Sequence, residues 1–255
     1  MGGFLKIDIR RGRILEKLKQ TGTVSVAQLA EELGATPVTI RSDLDALEAE
    51  GYLVRVQGGA VQSQRTAASG LRAQDISSEK LAIAKVVADM VADGDTLFIN
   101  SGTTMHAVAD ALRARKNLNV VTNSLTVAAM MGSVPGFRVI LLGGEVNARF
   151  SFSHGSDALE QLSHYGADWA ILSLDGVDLA GGLTTYHAEE AAVNRMMIRG
   201  AKRVLAAAEH KKVGKKGFSR FWELGPEICL VTDEQVSPSA VKALEEKGVQ
   251  VKIAK

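Results

Sequence analysis

Only one cysteine, Cys229, occurs in the 255 residues. A lone thiol cannot build an intrachain disulfide framework, which excludes the stapled secreted scaffolds and fits a reducing cytoplasm. Its neighbours Ile228, Leu230 and Val231 are apolar, so Cys229 is expected inside a buried strand. No apolar run approaches the roughly twenty residues of a membrane-spanning helix, and the first residues lack the apolar core of a secretory signal. Neither sign of charge is in excess: the formal net charge is +1. That argues against nonspecific coating of nucleic acid and leaves open a local basic surface. Neither G-x-x-x-x-G-K-S/T nor G-x-G-x-x-G occurs, so no ATP or NAD cofactor is expected. The five histidines are scattered without metal-ligand spacing. Neither a cofactor, a metal nor a catalytic constellation is therefore expected.

What is present suffices for two cores. With 46% hydrophobic and 23% charged residues, the chain can hold a small domain and a larger one. In the first, Ser25 and Gln28 form a capping box ahead of the stripe Val26, Leu29, Ala30 and Leu33. Gly34 permits the left-handed turn that ends this helix. Thr36 is the expected N-cap of the next helix and Pro37 its first residue. Ile40, Leu44 and Leu47 then face the core, while Val38, Arg41, Ser42 and Asp45 point outward with Thr39 at the edge. Ile14, Leu15 and Leu18 supply a third helix. The β-prone runs either side of Gly58-Gly59 predict a hairpin, with Arg55 and Gln57 near a sugar-phosphate backbone. This is the layout of a winged helix-turn-helix, which sets its second helix in a DNA major groove. The DNA-contacting residues are expected to be Thr36, Val38, Thr39, Arg41, Ser42, Arg55 and Gln57. Arg10, Arg11, Arg13, Lys17 and Lys19 add a basic cluster expected at phosphates. A helical bundle used only for protein contacts is the competing reading.

Residues 62–77 are polar and aperiodic and are expected to be a linker between domains at 1–61 and 78–255. Beyond them, β-prone runs alternate with amphipathic helices: 96–99, 104–112, 118–121, 125–131, 138–142, 156–164, 169–174, 188–200, 203–208, 228–232, 238–247 and 249–253. Such alternation implies a mostly parallel sheet with helices on both faces, whose ligands bind outside the carboxyl ends of the strands. The residues just past those ends are Asn100-Ser101-Gly102-Thr103-Thr104, Thr122-Asn123-Ser124, Gly143-Gly144-Glu145, Asp175-Gly176-Val177-Asp178 and Glu209-His210-Lys211-Lys212, with Lys215 and Lys216 following. Ser101, Gly102, Thr103 and Thr104 open a helix, where hydroxyls and amides can surround a phosphate. The same residue types also cap helices without any ligand. The aromatic stretch Phe218 to Trp222 is expected in the core or at a subunit contact.

The run Thr36 to Leu44 and the ending Gly58-Gly59-Ala60 resemble the DeoR-type bacterial regulators. So do Glu79-Lys80, Asp93-Gly94-Asp95-Thr96, Ser101 to Thr104, Thr122-Asn123-Ser124, Gly143-Gly144-Glu145 and Gly181-Gly182-Leu183-Thr184. Family members usually carry a second basic residue at the position of Ser42, and Asp-x-Ser-Lys-Phe-Gly where this chain has Glu209 to Gly214. The resemblance implies an α/β fold: an N-terminal winged helix-turn-helix plus a sensor domain similar to ribose-5-phosphate isomerase. It implies that Ser101 to Thr104 hold the phosphate of a sugar phosphate. Thr122, Asn123, Gly143 and Gly144 border that site. Asp175, Asp178, Glu189 and Lys212 fall where the isomerase keeps carboxylates and a lysine. The expected protein is a cytoplasmic repressor of a carbohydrate operon, a dimer or tetramer, binding double-stranded operator DNA and a phosphorylated sugar. An isomerase-like enzyme fused to a DNA-binding module is the alternative, and an adaptor with an inactive pocket a third.

Overall fold

The structure is a computed structural model that describes residues 2–49, 53–62, 76–148 and 150–255. The chain divides into two compact units, Met1–Ser69 and Gly70–Lys255. Most of the predicted linker, residues 63–75, lies outside the described residues.

The first unit runs α1 (Gly2–Thr21), β1 (Thr23–Ser25), α2 (Val26–Leu33), α3 (Pro37–Ala49), β2 (Leu53–Val56) and β3 (Gly59–Gln62). Local chemistry sets the helix boundaries. The Ser25 hydroxyl accepts from the Gln28 amide at 3.2 Å, and Gly34 closes α2 in a left-handed conformation, φ 58°. The Thr36 hydroxyl accepts from the Thr39 amide at 3.2 Å and so caps α3. Ile14, Leu18, Val26, Leu29, Ile40, Leu44, Leu47 and Leu53 form one buried cluster. Each such side chain contributes about 1.5–3 kcal/mol on burial, which a unit this small needs to fold.

The wing differs from the expected Gly-Gly hairpin in its turn. Strands β2 and β3 pair Val56 with Gly59, so the turn is Gln57-Gly58, with Gly58 at φ 80°. Gly59 belongs to β3 and meets β1, where Ser25 pairs with it. A Cβ there would strike the Val24 carbonyl. The short strand β1, not expected from the sequence, completes the sheet order β1-β3-β2.

The second unit comprises α4 (Ser78–Met90), β4 (Thr96–Ile99), α5 (Thr103–Ala111), β5 (Asn119–Thr122), α6 (Leu125–Gly132), β6 (Arg138–Leu141), β7 (Glu145–Asn147), β8 (Phe152–His154), α7 (Ser156–Ser163), β9 (Ala167–Ser173), β10 (Gly176–Asp178), β11 (Gly182–Thr185), α8 (Ala188–Arg199), β12 (Ala201–Ala207), β13 (Ser219–Trp222), β14 (Ile228–Asp233), α9 (Pro238–Glu245) and β15 (Gln250–Ala254). Seven strands form one sheet in the order β15-β14-β12-β9-β4-β5-β6, every pairing parallel.

Side chains alternate across this sheet. Leu97, Ile99, Ile171, Leu205 and Val231 pack with α4, α5 and α6. Phe98, Ala170, Leu172, Val204 and Leu230 pack with α7, α8 and α9. Both faces are therefore covered, as a parallel sheet requires. Cys229 is buried in β14, and burial pushes its thiol pKa up.

The order of winding locates a crevice. From β4 the chain proceeds outward through β5 and β6, returns to the other side of β4 at β9, and continues through β12, β14 and β15. The direction reverses between β4 and β9. Crossover segments diverge at such a point, leaving an opening beyond the carboxyl ends of the two strands. Helix α4 and two small antiparallel elements, β7-β8 and β10-β11-β13, were not among the expected elements.

Candidate functional site

The exposed face of α3 presents Val38, Arg41, Ser42 and Asp45, with Thr36 exposed at its start and Thr39 half-buried. Gln57 is exposed at the wing turn. The Thr39 hydroxyl lies 2.9 Å from that of Thr36. Arg55 is placed differently from the expected phosphate contact. Its guanidinium Nη1 donates to the Arg41 carbonyl at 3.1 Å and to Asp45 Oδ1 at 2.8 Å. Its backbone N–H donates to Glu48 at 2.7 Å. Arg55 thus fastens the wing to α3 and offsets the charge of Asp45.

The basic cluster on α1 is likewise only partly directed outward. Arg10 and Arg11 both contact Asp43, a buried carboxylate on α3. That hydrogen bond holds the Arg10 pKa above its ordinary value. Lys17 pairs with Glu32 on α2. These cations lock α1 to the helix pair, and Arg13 remains exposed. We expect Arg41→Ala to cost about 1–3 kcal/mol of operator affinity and to relax preference at one base pair. Arg55→Ala is expected to weaken binding through loss of the wing tether. Titration of both variants on one operator checks this.

In the second unit, the loops after β4 and β9 meet at the reversal point. Asn100 is fully buried, and its amide Nδ2 donates to the Ser173 carbonyl at 2.9 Å and to Asn194 Oδ1 at 3.0 Å. The Ser173 hydroxyl donates to the Ser101 carbonyl at 2.5 Å. Gly102 then adopts φ 125°, ψ 158°, and α5 begins without a side-chain cap. Glycine reaches this conformation without strain. First-turn amides with no side-chain cap at a helix N-terminus favour an anion. Thr103 is half-buried beside them and Thr104 buried.

Glu190 is the carboxylate at the centre. It is 1% exposed, accepts from the Ser101 hydroxyl at 2.7 Å, and lies 2.7 Å from the Thr185 hydroxyl. Thr185 in turn lies 2.9 Å from Asp175 Oδ2, which also accepts from the Tyr186 amide at 3.0 Å. Lys212 Nζ donates to the Leu174 carbonyl at 2.6 Å, next to Asp175. Next to Tyr186 in sequence, His187 meets the Phe150 ring with centroids 4.4 Å apart and planes tilted by 49°. Burial, then the Asp175 charge, push the Tyr186 phenol pKa up. The strand ends thus bring together hydroxyls, a helix start, two carboxylates and a lysine.

Several expected residues lie elsewhere in this arrangement. Glu189 is exposed; Glu190, about 100° further round α8, takes the interior place. It continues the buried stripe of Asn194 and Met197, the periodicity that marks it. In this structure the Ser101 hydroxyl donates to Glu190. Thr122 and Asn123 are fully buried: Thr122 accepts from the Ser124 amide at 3.0 Å, and Asn123 holds the Ser153 carbonyl at 3.1 Å. Thr122 thus shapes the turn after β5, and Asn123 fastens that turn to β8. Gly143 receives the Gln161 side chain on its amide at 2.9 Å, and a Cβ on Gly144 would strike the His154 carbonyl. Their smallness serves chain packing. Asp178 sits at the end of the β10-β11 hairpin, where the Ala180 amide holds its carboxyl below its ordinary pKa.

A second cluster joins this rim to the start of the unit. Glu209, buried at the end of β12, accepts from the Ser77 hydroxyl at 3.2 Å and pairs with Lys211 at 2.8 Å and Lys80 at 3.9 Å. Ser77 is the N-cap of α4. Glu209 and Lys212 flank one short 3-10 turn, His210–Lys212.

A helix-turn-helix headpiece followed by a doubly covered parallel α/β unit defines a DNA-binding regulator of two domains. Two family profiles match the chain: "DeoR-like helix-turn-helix domain" over residues 10–66 and "DeoR C terminal sensor domain" over 75–234. The chain belongs to the DeoR family of transcriptional regulators. It is 33% identical to the glycerol-3-phosphate regulon repressor of Escherichia coli K12 over 247 residues, 96% of this chain and 98% of that one. It is 32% identical to the HTH-type transcriptional repressor GlcR of Bacillus subtilis 168 over 241 residues, 93% of each chain. Among solved structures it is similar to ribose 5-phosphate isomerase A of Methanocaldococcus jannaschii, with 15% identity, TM-score 0.40 and 52% of this chain against 53% of that one. It is also similar to the sorbitol operon regulator SorC of Klebsiella pneumoniae, with 15% identity, TM-score 0.42 and 91% of this chain against 98% of that one. No described helix is long and apolar enough to cross a membrane.

Proposed function

We propose that this regulator represses a carbohydrate-metabolism operon and is controlled by a phosphorylated sugar bound in the crevice between β4 and β9. The observation that carries the reading is the loop Ser101 to Thr104. It joins a helix start without a side-chain cap to a buried carboxylate, Glu190, and to Asp175 and Lys212. In this reading the Gly102 to Thr104 segment holds the phosphate and Asp175 and Lys212 face the sugar hydroxyls, while the buried Glu190 positions Ser101 and Thr185. The names of the relatives, repressors of a glycerol-3-phosphate regulon and of an aga operon among them, support the chemical class. No turnover is proposed.

Ligand alters DNA affinity only if it binds the two functional states differently. Lys212 and Glu209 flank one turn, and Glu209 grips Ser77 and Lys80 at the end of the segment 62–77, which in this reading links the domains. Movement of Lys212 toward a ligand therefore draws on the contact between Glu209 and the start of α4. Thermal melting of the full chain against a panel of sugar phosphates, followed by operator titration, tests the proposal. One compound is expected both to raise the melting temperature and to change operator affinity. Hydrolysis or isomerisation of that compound by the protein would favour an enzyme instead.

We also propose that the regulator acts as a dimer or tetramer, because one small headpiece offers too little interface for strong specificity. Sedimentation of the full chain is expected to show an oligomer at micromolar concentration; a monomer there contradicts this.

A further inference from the structure

We infer that Val38 reads the 5-methyl group of a thymine in each operator half-site. The inference rests on the DNA-binding reading of α3 and names what one position of that face recognises.

Val38 is 71% exposed, one residue after the Pro37 that starts α3. Ile14, Leu18, Val26, Leu29, Ile40, Leu44, Leu47 and Leu53 are all buried, and Val56 on the wing, the other large apolar residue of the described headpiece that is exposed, stands at 43%. A β-branched side chain in water is also a poor choice for a helix, which restricts its rotamers. Neither core packing nor helix propensity accounts for valine here.

Its surroundings identify what it meets. Val38 stands at the N-terminal end of the outward face, where recognition helices contact base edges. Arg41 follows one turn later and is exposed. Asp45, one turn beyond, is held by Arg55 at 2.8 Å. Helix α3 itself is pinned from behind by Asp43 to Arg10 and Arg11 and from the wing by Arg55. The valine is therefore presented on a fixed helix. It has no donor or acceptor. In the major groove of unmodified DNA, the apolar group available to such a side chain is the thymine methyl. Cytosine at the same place offers an amino group that valine leaves unsatisfied.

The test uses the full chain and DNA enriched by it from a random 40-base-pair duplex library, with and without a pool of sugar phosphates. Each thymine of the enriched sequence is then replaced in turn by deoxyuridine, which removes only the methyl. For the parent protein, one position per half-site is expected to lose about fourfold in affinity, and about fifteenfold when both half-sites are changed, the equivalent of one buried methyl group each. Val38→Ala is expected to bind the thymine and deoxyuridine duplexes equally at that position, with an unchanged melting temperature and unchanged response to substitution elsewhere. The inference is overturned if the parent is indifferent to every deoxyuridine, or if Val38→Ala keeps the parent's sensitivity. Failure of the chain to enrich any sequence overturns the DNA-binding reading itself, and the inference with it.

Discussion

Asp43→Ala is expected to destabilise the headpiece strongly and weaken operator binding while the α/β unit keeps its stability. Asp43 is 3% exposed and receives two arginines from α1, Arg10 and Arg11. Removing the carboxylate leaves two guanidiniums against the core without a counter-charge. The cost is about 2–4 kcal/mol, toward the lower part of the range for breaking a buried pair. Those side chains keep 21% and 27% exposure and so retain some water. A unit of this size holds only roughly 3–9 kcal/mol of stability, so the loss is a large fraction of it. Calorimetry of the full chain is expected to show the headpiece transition displaced or missing and the α/β transition in place. Asp43→Asn, which keeps one acceptor oxygen, is expected to recover part of the loss. An unchanged headpiece transition in Asp43→Ala would show that the pairing contributes nothing.

Gly102→Val is expected to remove the metabolite response without touching DNA binding. At φ 125° a β-branched residue is strained by about 1–3 kcal/mol. Relief of that strain moves the loop away from the arrangement Ser101 and Ser173 hold. Loss of effector affinity of about a hundredfold is expected, corresponding to the upper end of that strain. Thr103→Val keeps the shape and removes one hydroxyl, for about 1.5–3 kcal/mol if that hydroxyl donates to a charged group. Operator binding without effector is expected to match the parent in both variants. Titration calorimetry with the sugar phosphate that raises the melting temperature decides the matter. If both variants bind it as tightly as the parent, the anion is held elsewhere.

Much of this was legible in the chain because it depends on neighbours in sequence. The Ser25 cap, the Gly34 turn, the Thr36 cap and the stripe Ile40, Leu44, Leu47 are all decided within one or two helical turns. The seven parallel strands were legible for a similar reason, since each is a short apolar run between helical periods. Contacts across many residues were not. Asp43 and Arg10 are 33 positions apart, and charge alone made Arg10 look like a phosphate ligand. Arg55 was assigned by its place on the wing, yet its side chain turns toward α3. Glu189 and Glu190 are chemically identical, and only the phase of α8 separates them. Thr122, Asn123, Gly143 and Gly144 have the composition of a binding loop, but their polar groups and small size are used by β8 and α7. The hairpins β7-β8 and β10-β11 left weak traces because strands of three or four residues offer too few alternations to count.

The position of β4 inside the sheet, between β9 and β5, bears on how the chain is made. The headpiece draws its core from residues 14 to 60, and local contacts of that kind fold early. Strand β4 leaves the ribosome soon afterwards but cannot complete its pairing until β9 follows, Leu97 lying against Trp169. The crevice waits longer still, since Glu190 and Lys212 come later. During synthesis a DNA-binding head therefore exists before its sensor does. On the proposed oligomer, such a nascent head is single and is expected to grip DNA only loosely, so that regulation and firm attachment would mature together.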